Sequence, residues 1–340
     1  MRLRTLLIPI CALLAVAGGC AAVAGNGGPA ASSVPIALDP DRPSLTEVGA
    51  LRLRGALRLP DGAEVGGLSG LWVSDSGERF VAVSDNGKSV TGRLSYDAQG
   101  QLVGAGHYDV RRLVIDKDTG YRGRLNDSED IIRLPDGGWL VPFERTHRIL
   151  RYGGAERPEG TPRKLPVPPG LEKAPSNGGV EALAALSDGR ILAIEEGDDD
   201  GVRERHAWIA PADPKARGDW QPLTYRAAPR FRPTAAAPLP DGGVLVLERR
   251  VTLLGGWGAR IVHVPADSLR GGATMDGVEL ARLEPPLPTD NFEGLSVRPG
   301  PDGDLLVYIV SDDNRSPLQR TYLMMFQLPA GALKPTVAGR

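Results

Sequence analysis

Gly67-Leu68-Ser69 leads to Val83-Ser84-Asp85, and Gly294-Leu295-Ser296 leads to Val310-Ser311-Asp312, with the same ungapped spacing from Gly to Ser in both copies. Each copy is an apolar stretch, a turn, and a second apolar stretch that ends on an acid. Agreement in spacing marks a repeated hairpin unit rather than a shared composition. Three more hairpins fit beside them: Glu129-Asp130-Ile131 with the turn Asp136-Gly137, Glu181-Ala182-Leu183 with Asp188-Gly189, and Thr234-Ala235-Ala236 with Asp241-Gly242. The last unit carries the same signature as Glu293-Gly294-Leu295 with Asp302-Gly303. Asp-Gly between two β-rich runs signals a hairpin because glycine takes the positive φ that such turns need.

The five units start near 67, 130, 182, 235 and 294. Third-strand candidates follow at 147–152, 206–210, 260–264 and 321–328, and the runs 221–226 and 278–283 supply fourth strands. Four strands per unit at a near-constant long period predict an all-β chain. The expected fold is a β-propeller of five recognisable four-stranded blades, with room for a degenerate sixth. A β-sandwich uses similar strands and turns but does not repeat one hairpin at such a period. The run 48–59 has no hairpin partner of its own; in a ring it completes the last blade and closes the circle. The segment 155–176, rich in Pro and basic residues, reads as a surface loop.

The N-terminus has a basic start, a short apolar run and then Ala17-Gly18-Gly19-Cys20. So short a run makes an export signal rather than a membrane span, which takes about 20 apolar residues. The two cysteines, Cys11 and Cys20, both lie here, so nothing after Cys20 can form a disulfide. The run up to Cys20 resembles a lipobox, which makes Cys20 the candidate lipidation site. The expected organisation is a signal with a lipobox-like end at 1–19, a flexible tether at 20–44, one propeller at 45–330 and a tail at 331–340. Its expected location is the periplasm or cell envelope, as a monomer touching the membrane through the lipid anchor alone. Without Arg2 and Arg4, 38 basic residues stand against 42 acidic ones, a formal charge of −4. That excludes a polybasic nucleic-acid binder.

The acids matter for where they fall. In a hairpin, the start of the first strand and the end of the second lie at one edge. Glu129 pairs in this way with Glu144, Glu181 with Glu195 or Glu196, and Glu293 with Asp312; Asp85 and Glu248 stand at strand ends opposite Gly66 and Thr234. With the first strands lining a channel, Asp85, Glu129, Glu144, Glu181, Glu195, Glu248, Glu293 and Asp312 converge on one face as candidate metal ligands. Gathered carboxylates repel one another, and a hard cation with oxygen ligands relieves them, so Ca²⁺ is the expected cofactor. Asn126, Asn177 and Asn291, just before the strand starts, add amide oxygens. The four histidines show no metal-ligand spacing, which argues against zinc. The competing reading is structural: an acid at a strand end binds backbone N–H groups or pairs with Arg145, Arg148, Arg249, Arg250 or Arg315. No Walker loop, dinucleotide fingerprint or H-E-x-x-H motif is present, and neither Ser69 nor Ser296 completes G-x-S-x-G.

The chain resembles a family of bacterial phytase-like proteins, known for an esterase-like activity of phytase. The likeness rests on Gly67-Leu68-Ser69-Gly70-Leu71, Asp127-Ser128-Glu129-Asp130, Gly179-Val180-Glu181-Ala182-Leu183 and Asn291-Phe292-Glu293-Gly294-Leu295-Ser296 with Ser311-Asp312-Asp313-Asn314. The resemblance implies a secreted or periplasmic propeller with a hydrolase role on phosphate or carboxylic esters. β-Propeller phytases bind several Ca²⁺ ions, but their Asp-rich signature is missing, so inositol phosphate does not carry over. The leading expectation is a Ca²⁺-dependent hydrolase of a small-molecule ester. Glu181 and Glu293 are its catalytic acids, among the acids that hold metal and polarise water, and Arg145, Arg148 or Arg315 meets developing negative charge. The alternatives are a noncatalytic propeller holding a ligand or envelope partner, and a metal-dependent lactonase-like enzyme.

Overall fold

The computed structural model describes residues 33–60, 62, 65–115 and 126–333. The export signal, Cys20 and the first part of the tether lie outside the described residues, as does the tail from 334 onward. Among the described residues there is no α-helix, and the strands form five sheets. Blade 1 holds Leu68–Val73, Arg79–Ser84, Lys88–Tyr96 and Leu102–Arg112, in that order from the ring axis outward. Blade 2 holds Ile132–Arg133, Trp139–Phe143, Arg148–Gly153 and Glu159–Lys164. Blade 3 holds Val180–Ala185, Arg190–Glu195, Glu204–Pro211 and Gln221–Arg226, with the short Thr274–Asp276 added in parallel at its outer edge. Blade 4 holds Arg232–Pro238, Val244–Thr252, Gly256–Val264 and Val278–Leu283.

Blade 5 takes Asn291–Pro299, Leu305–Asp312 and Tyr322–Leu328 from the end of the chain and Leu51–Arg58 from its beginning. The run expected to close the circle does so. The first strands touch their neighbours all the way round, blade 5 meeting blade 1. No sixth sheet exists among the described residues. Two boundaries differ from the sequence reading. The expected loop at 155–176 contains the outer strand of blade 2, whose residues are almost all exposed and so leave no apolar alternation to read. The folded body also starts before residue 45, since Val34–Pro35 pairs with Leu51–Arg58 and Leu38 is buried.

The turns follow from their residues. Gly137, Gly189 and Gly242 hold φ of 85°, 84° and 88°. The preceding Asp136, Asp188 and Asp241 each accept the N–H two residues on, at 2.9–3.0 Å. Both faces of each blade are buried, and the alternation along one strand serves two neighbours: Leu306, Tyr308 and Val310 face blade 1, while Leu305, Val307 and Ile309 face blade 4. Five apolar clusters fill the five gaps between blades.

Near the axis the inner strands leave little room. A Cβ on Gly70 would lie 2.6 Å from the backbone N of Ile131, and one on Gly294 would lie 2.9 Å from Leu71 Cβ. The equivalent positions in blades 3 and 4 are Ala182 and Ala235. In blade 2 the position is Asp130, which is buried and ties its strand to blade 3 by accepting Leu183 N–H at 2.8 Å.

Candidate functional site

Every inner strand slips its pairing by one residue near its start. The extra residue is Ser69, Glu181, Thr234 and Glu293 in blades 1, 3, 4 and 5. In blade 2 the slip falls between the Ser128–Phe143 bridge and the Ile132–Leu140 pair, and Glu129 takes the place. A bulge re-aims the side chain that it adds. Five aligned bulges therefore put one ring of residues at the mouth of the channel, three of them Glu. A second ring comes from the residue just past the bulge register on each second strand. Asp85, Glu144 and Glu196 donate their N–H groups to Gly67, Asp127 and Gly179, while Arg249 pairs with Arg232 and Asp312 with Asn291. Seven carboxylates, one guanidinium and the hydroxyls of Ser69 and Thr234 make up these two rings.

The alignment corrects the sequence reading at three places. The hairpin of blade 5 is three residues longer than that of blade 1, since Val73 pairs with Phe80 but Val297 with Val307. Gly70-Leu71, not Gly67-Leu68, is therefore the counterpart of Gly294-Leu295, and Ser69 is the counterpart of Glu293. Glu195 and Glu248 each lie one residue short of the second ring and face the other way. Glu195 is paired with His206 at 2.6 Å. Glu248 is fully buried, accepts Tyr225 Oη–H at 2.7 Å and pairs with Arg260. Neither joins the mouth; Glu196 and Arg249 stand there instead.

At one side of the mouth Asp127, Glu129 and Glu144 bring carboxylate oxygens within 4.8 Å of one another. Glu144 accepts Gly179 N–H at 2.5 Å, and Asp127 pairs with Arg145 at 2.6 Å. Glu129 and Glu181 accept a hydrogen bond from no described residue. On the other side Glu293 accepts Asn291 Nδ2–H at 2.6 Å and lies 3.5 Å from Arg249, which pairs with the buried Glu196 at 2.7 Å. Asn291 is buried, and its Oδ1 has no partner. Asp312 accepts Asn314 N–H at 2.7 Å, and Asp85 pairs with Arg315 at 2.5 Å. Arg148 points elsewhere, donating to Thr146 O and stacking on Phe143, and Arg250 pairs with Glu284.

The electrostatics follow from burial and like charge. Burial pushes Glu129 well above the usual carboxylate range, and Glu144 and Asp127 push it further. Burial and then Glu196 raise Glu181 against the pull of Arg249; burial and then Asp312 raise Glu293. Glu144 and Asp312 are each raised to about 7, mainly by burial, although each accepts a backbone N–H that favours its charged form. Burial works against the charge of Arg249, yet Glu196, Glu293 and Glu181 outweigh it and raise its pKa. The mouth is a place where negative charge is uncompensated. A depression of about 620 Å³ lies at the opposite end of the ring, lined by Trp72, Arg133, Leu186, Leu239 and Arg298 among others, but none of the carboxylates of the mouth lines it.

Of these features the sequence reading missed Asp127 as a ligand and Arg249 as a member of the ring. The Asp127–Glu129 alternation at a strand start was visible, since residues two apart share a face. Nothing local distinguished Arg249 from Glu248.

Fold and site together define a five-bladed β-propeller with an acidic mouth. The chain belongs to the phytase-like family, described as having an esterase-like activity of phytase, whose profile matches residues 63–315. A comparison with curated proteins finds no match. Among solved structures, a gluconolactonase from Xanthomonas campestris is 15% identical with a TM-score of 0.44, the match covering 89% of this chain and 98% of that one. A virginiamycin B lyase from Staphylococcus aureus is 9% identical with a TM-score of 0.40, covering 87% and 99%. A glucose dehydrogenase is 11% identical with a TM-score of 0.40, covering 81% and 99%. These likenesses are too distant to bear on chemistry.

Proposed function

We propose that the acidic mouth holds a divalent cation, Ca²⁺, and that the protein is an exported hydrolase of phosphate or carboxylic esters. The observation that carries this reading is the cluster of Asp127, Glu129 and Glu144 within 4.8 Å, beside a Glu181 that accepts a hydrogen bond from no described residue. Carboxylates brought together without enough positive charge fit a hard cation, and an all-oxygen donor set fits Ca²⁺ better than zinc. Asp127, Glu129 and Glu144 would hold the ion, which when bound would supply positive charge to polarise an ester's carbonyl or phosphoryl oxygen.

The chain's own residues do the rest. Glu181, without a hydrogen-bond partner among the described residues and with its pKa raised, is suited to take a proton from an attacking water. Glu293 is steadied by Asn291 and Arg249 and completes the far wall. Arg145 and Arg315, each about one-third exposed, border the mouth where negative charge develops. Export rests on the N-terminal sequence pattern, with the body acting in the periplasm or envelope.

Calcium titration by calorimetry, followed by turnover assays on phosphomonoesters, carboxylic esters and lactones, tests this. Calcium binding with calcium-dependent turnover of one ester class is expected. Binding without turnover on any ester would leave a ligand-holding module, and no binding would remove the metal reading.

A further inference from the structure

The hairpin between the second and third strands of blade 4 continues past the acidic mouth. Its second strand runs on from Arg249 to Thr252, so the tip stands three residues above the ring, roughly 10 Å at strand rise. Residues 251–257, Val-Thr-Leu-Leu-Gly-Gly-Trp, contain no charge. Leu253 is 100% exposed and Leu254 is 99% exposed. The one polar side chain, Thr252, is occupied in accepting Gly255 N–H at 2.9 Å. Trp257, half-buried, stands across the hairpin from Val251. The corresponding loop of blade 5 presents Leu318, 90% exposed. The exposed leucines of the described residues thus all sit on loops around this one mouth.

Hairpin tips in water are ordinarily polar, and two adjacent, fully exposed leucines are costly to display. A protein partner fits poorly, because specific interfaces bury about 1,200–2,000 Å² across complementary patches and a two-leucine projection supplies a small part of that. A lipid surface fits the shape and the order of residues: an uncharged convex tip, an aromatic ring behind it, then arginines. Arg203 and Arg230, exposed on the neighbouring loops, have no carboxylate partner among the described residues and suit headgroup phosphates. Asp198, Asp199 and Asp200 share the loop of Arg203 and oppose an anionic surface, so apolar insertion has to carry the binding.

We propose that the blade 4 hairpin docks the propeller on a lipid bilayer, with Leu253 and Leu254 entering the acyl boundary and the acidic mouth turned toward the membrane. This contact is separate from any N-terminal anchor. The test uses the full chain with vesicles of phosphatidylcholine and phosphatidylglycerol carrying brominated acyl chains, in the presence of a chelator so that the outcome does not depend on a cation at the mouth. Tryptophan emission should be quenched on vesicle addition, and Trp257→Phe should remove that quenching. Leu253→Ser/Leu254→Ser, at fully exposed positions, should leave thermal stability unchanged and weaken partitioning about a hundredfold, near tenfold per leucine. An N-terminal anchor contributes equally to both proteins and does not bring Trp257 to the bromines. Absence of quenching, or quenching equal in the serine variant, would overturn the proposal.

Discussion

Arg249 is the one cation within the two rings at the mouth, and its removal has a calculable consequence. It pairs with Glu196 at 2.7 Å and approaches Glu293 at 3.5 Å, and Glu196 has no exposure to solvent. Deleting one partner of a buried pair costs about 3–5 kcal/mol, because the other charge stays buried and alone. Arg232, 3.6 Å from the second oxygen of Glu196, recovers part of that, so Arg249→Met should cost about 2–4 kcal/mol. Neutralising the carboxylate as well removes the cause of the loss. Arg249→Met/Glu196→Gln should therefore be more stable than Arg249→Met alone, with a coupling of about 2 kcal/mol. Urea unfolding of the four proteins in chelator, with slopes checked for constancy, measures this cycle. A single-variant cost below about 1 kcal/mol, or a double variant no better than the single, would refute the claim that charge balance at the mouth depends on Arg249.

Acidity gives a second prediction. Glu144 and Asp312 titrate near 7 in the folded protein, above their ordinary values of 4.5 and 3.8, so their stabilising contribution is complete below those values and is lost as pH rises through 7. In chelator the melting temperature should fall between about pH 5 and pH 8; a flat or rising profile would contradict it. Glu129→Gln should weaken Ca²⁺ binding by about tenfold or more in calorimetry, whereas Glu195→Gln should leave it unchanged. Gly70→Ala should destabilise by about 1–3 kcal/mol or more in urea, since its Cβ would meet the backbone of blade 2 at 2.6 Å and nothing flexible stands in the way to yield.

Most of the ring was legible because its signals are local. Asp-Gly turns mark the hairpins of blades 2 to 5, and the unpaired early run could only be placed by closing a circle. The parts that escaped have physical reasons. Three extra residues in one hairpin preserve an ungapped match on the second strand while displacing the first, so the quoted copies agree at Asp85 and Asp312 but are out of step at Ser69 and Glu293. A one-residue bulge leaves the apolar pattern nearly intact yet decides which face the following acids take. Glu181 and Glu293 were therefore placed correctly at strand starts, while Glu195 and Glu248 were placed one residue from Glu196 and Arg249. The outer strand Glu159–Lys164 has solvent on most of its surface and carries no pattern to find.

The strand Leu51–Arg58 lies against Tyr322–Leu328. In synthesis the first of these is made before any blade and its partner after all the others. Until residue 328 has emerged, the early strand waits as an open edge, and its Arg52, Arg54 and Arg58 discourage pairing with another chain. A product that stops short of Tyr322 leaves two such edges exposed for good, which marks it for aggregation or proteolysis. The clasp that makes the ring thus ties the early strand's protection to the arrival of its partner.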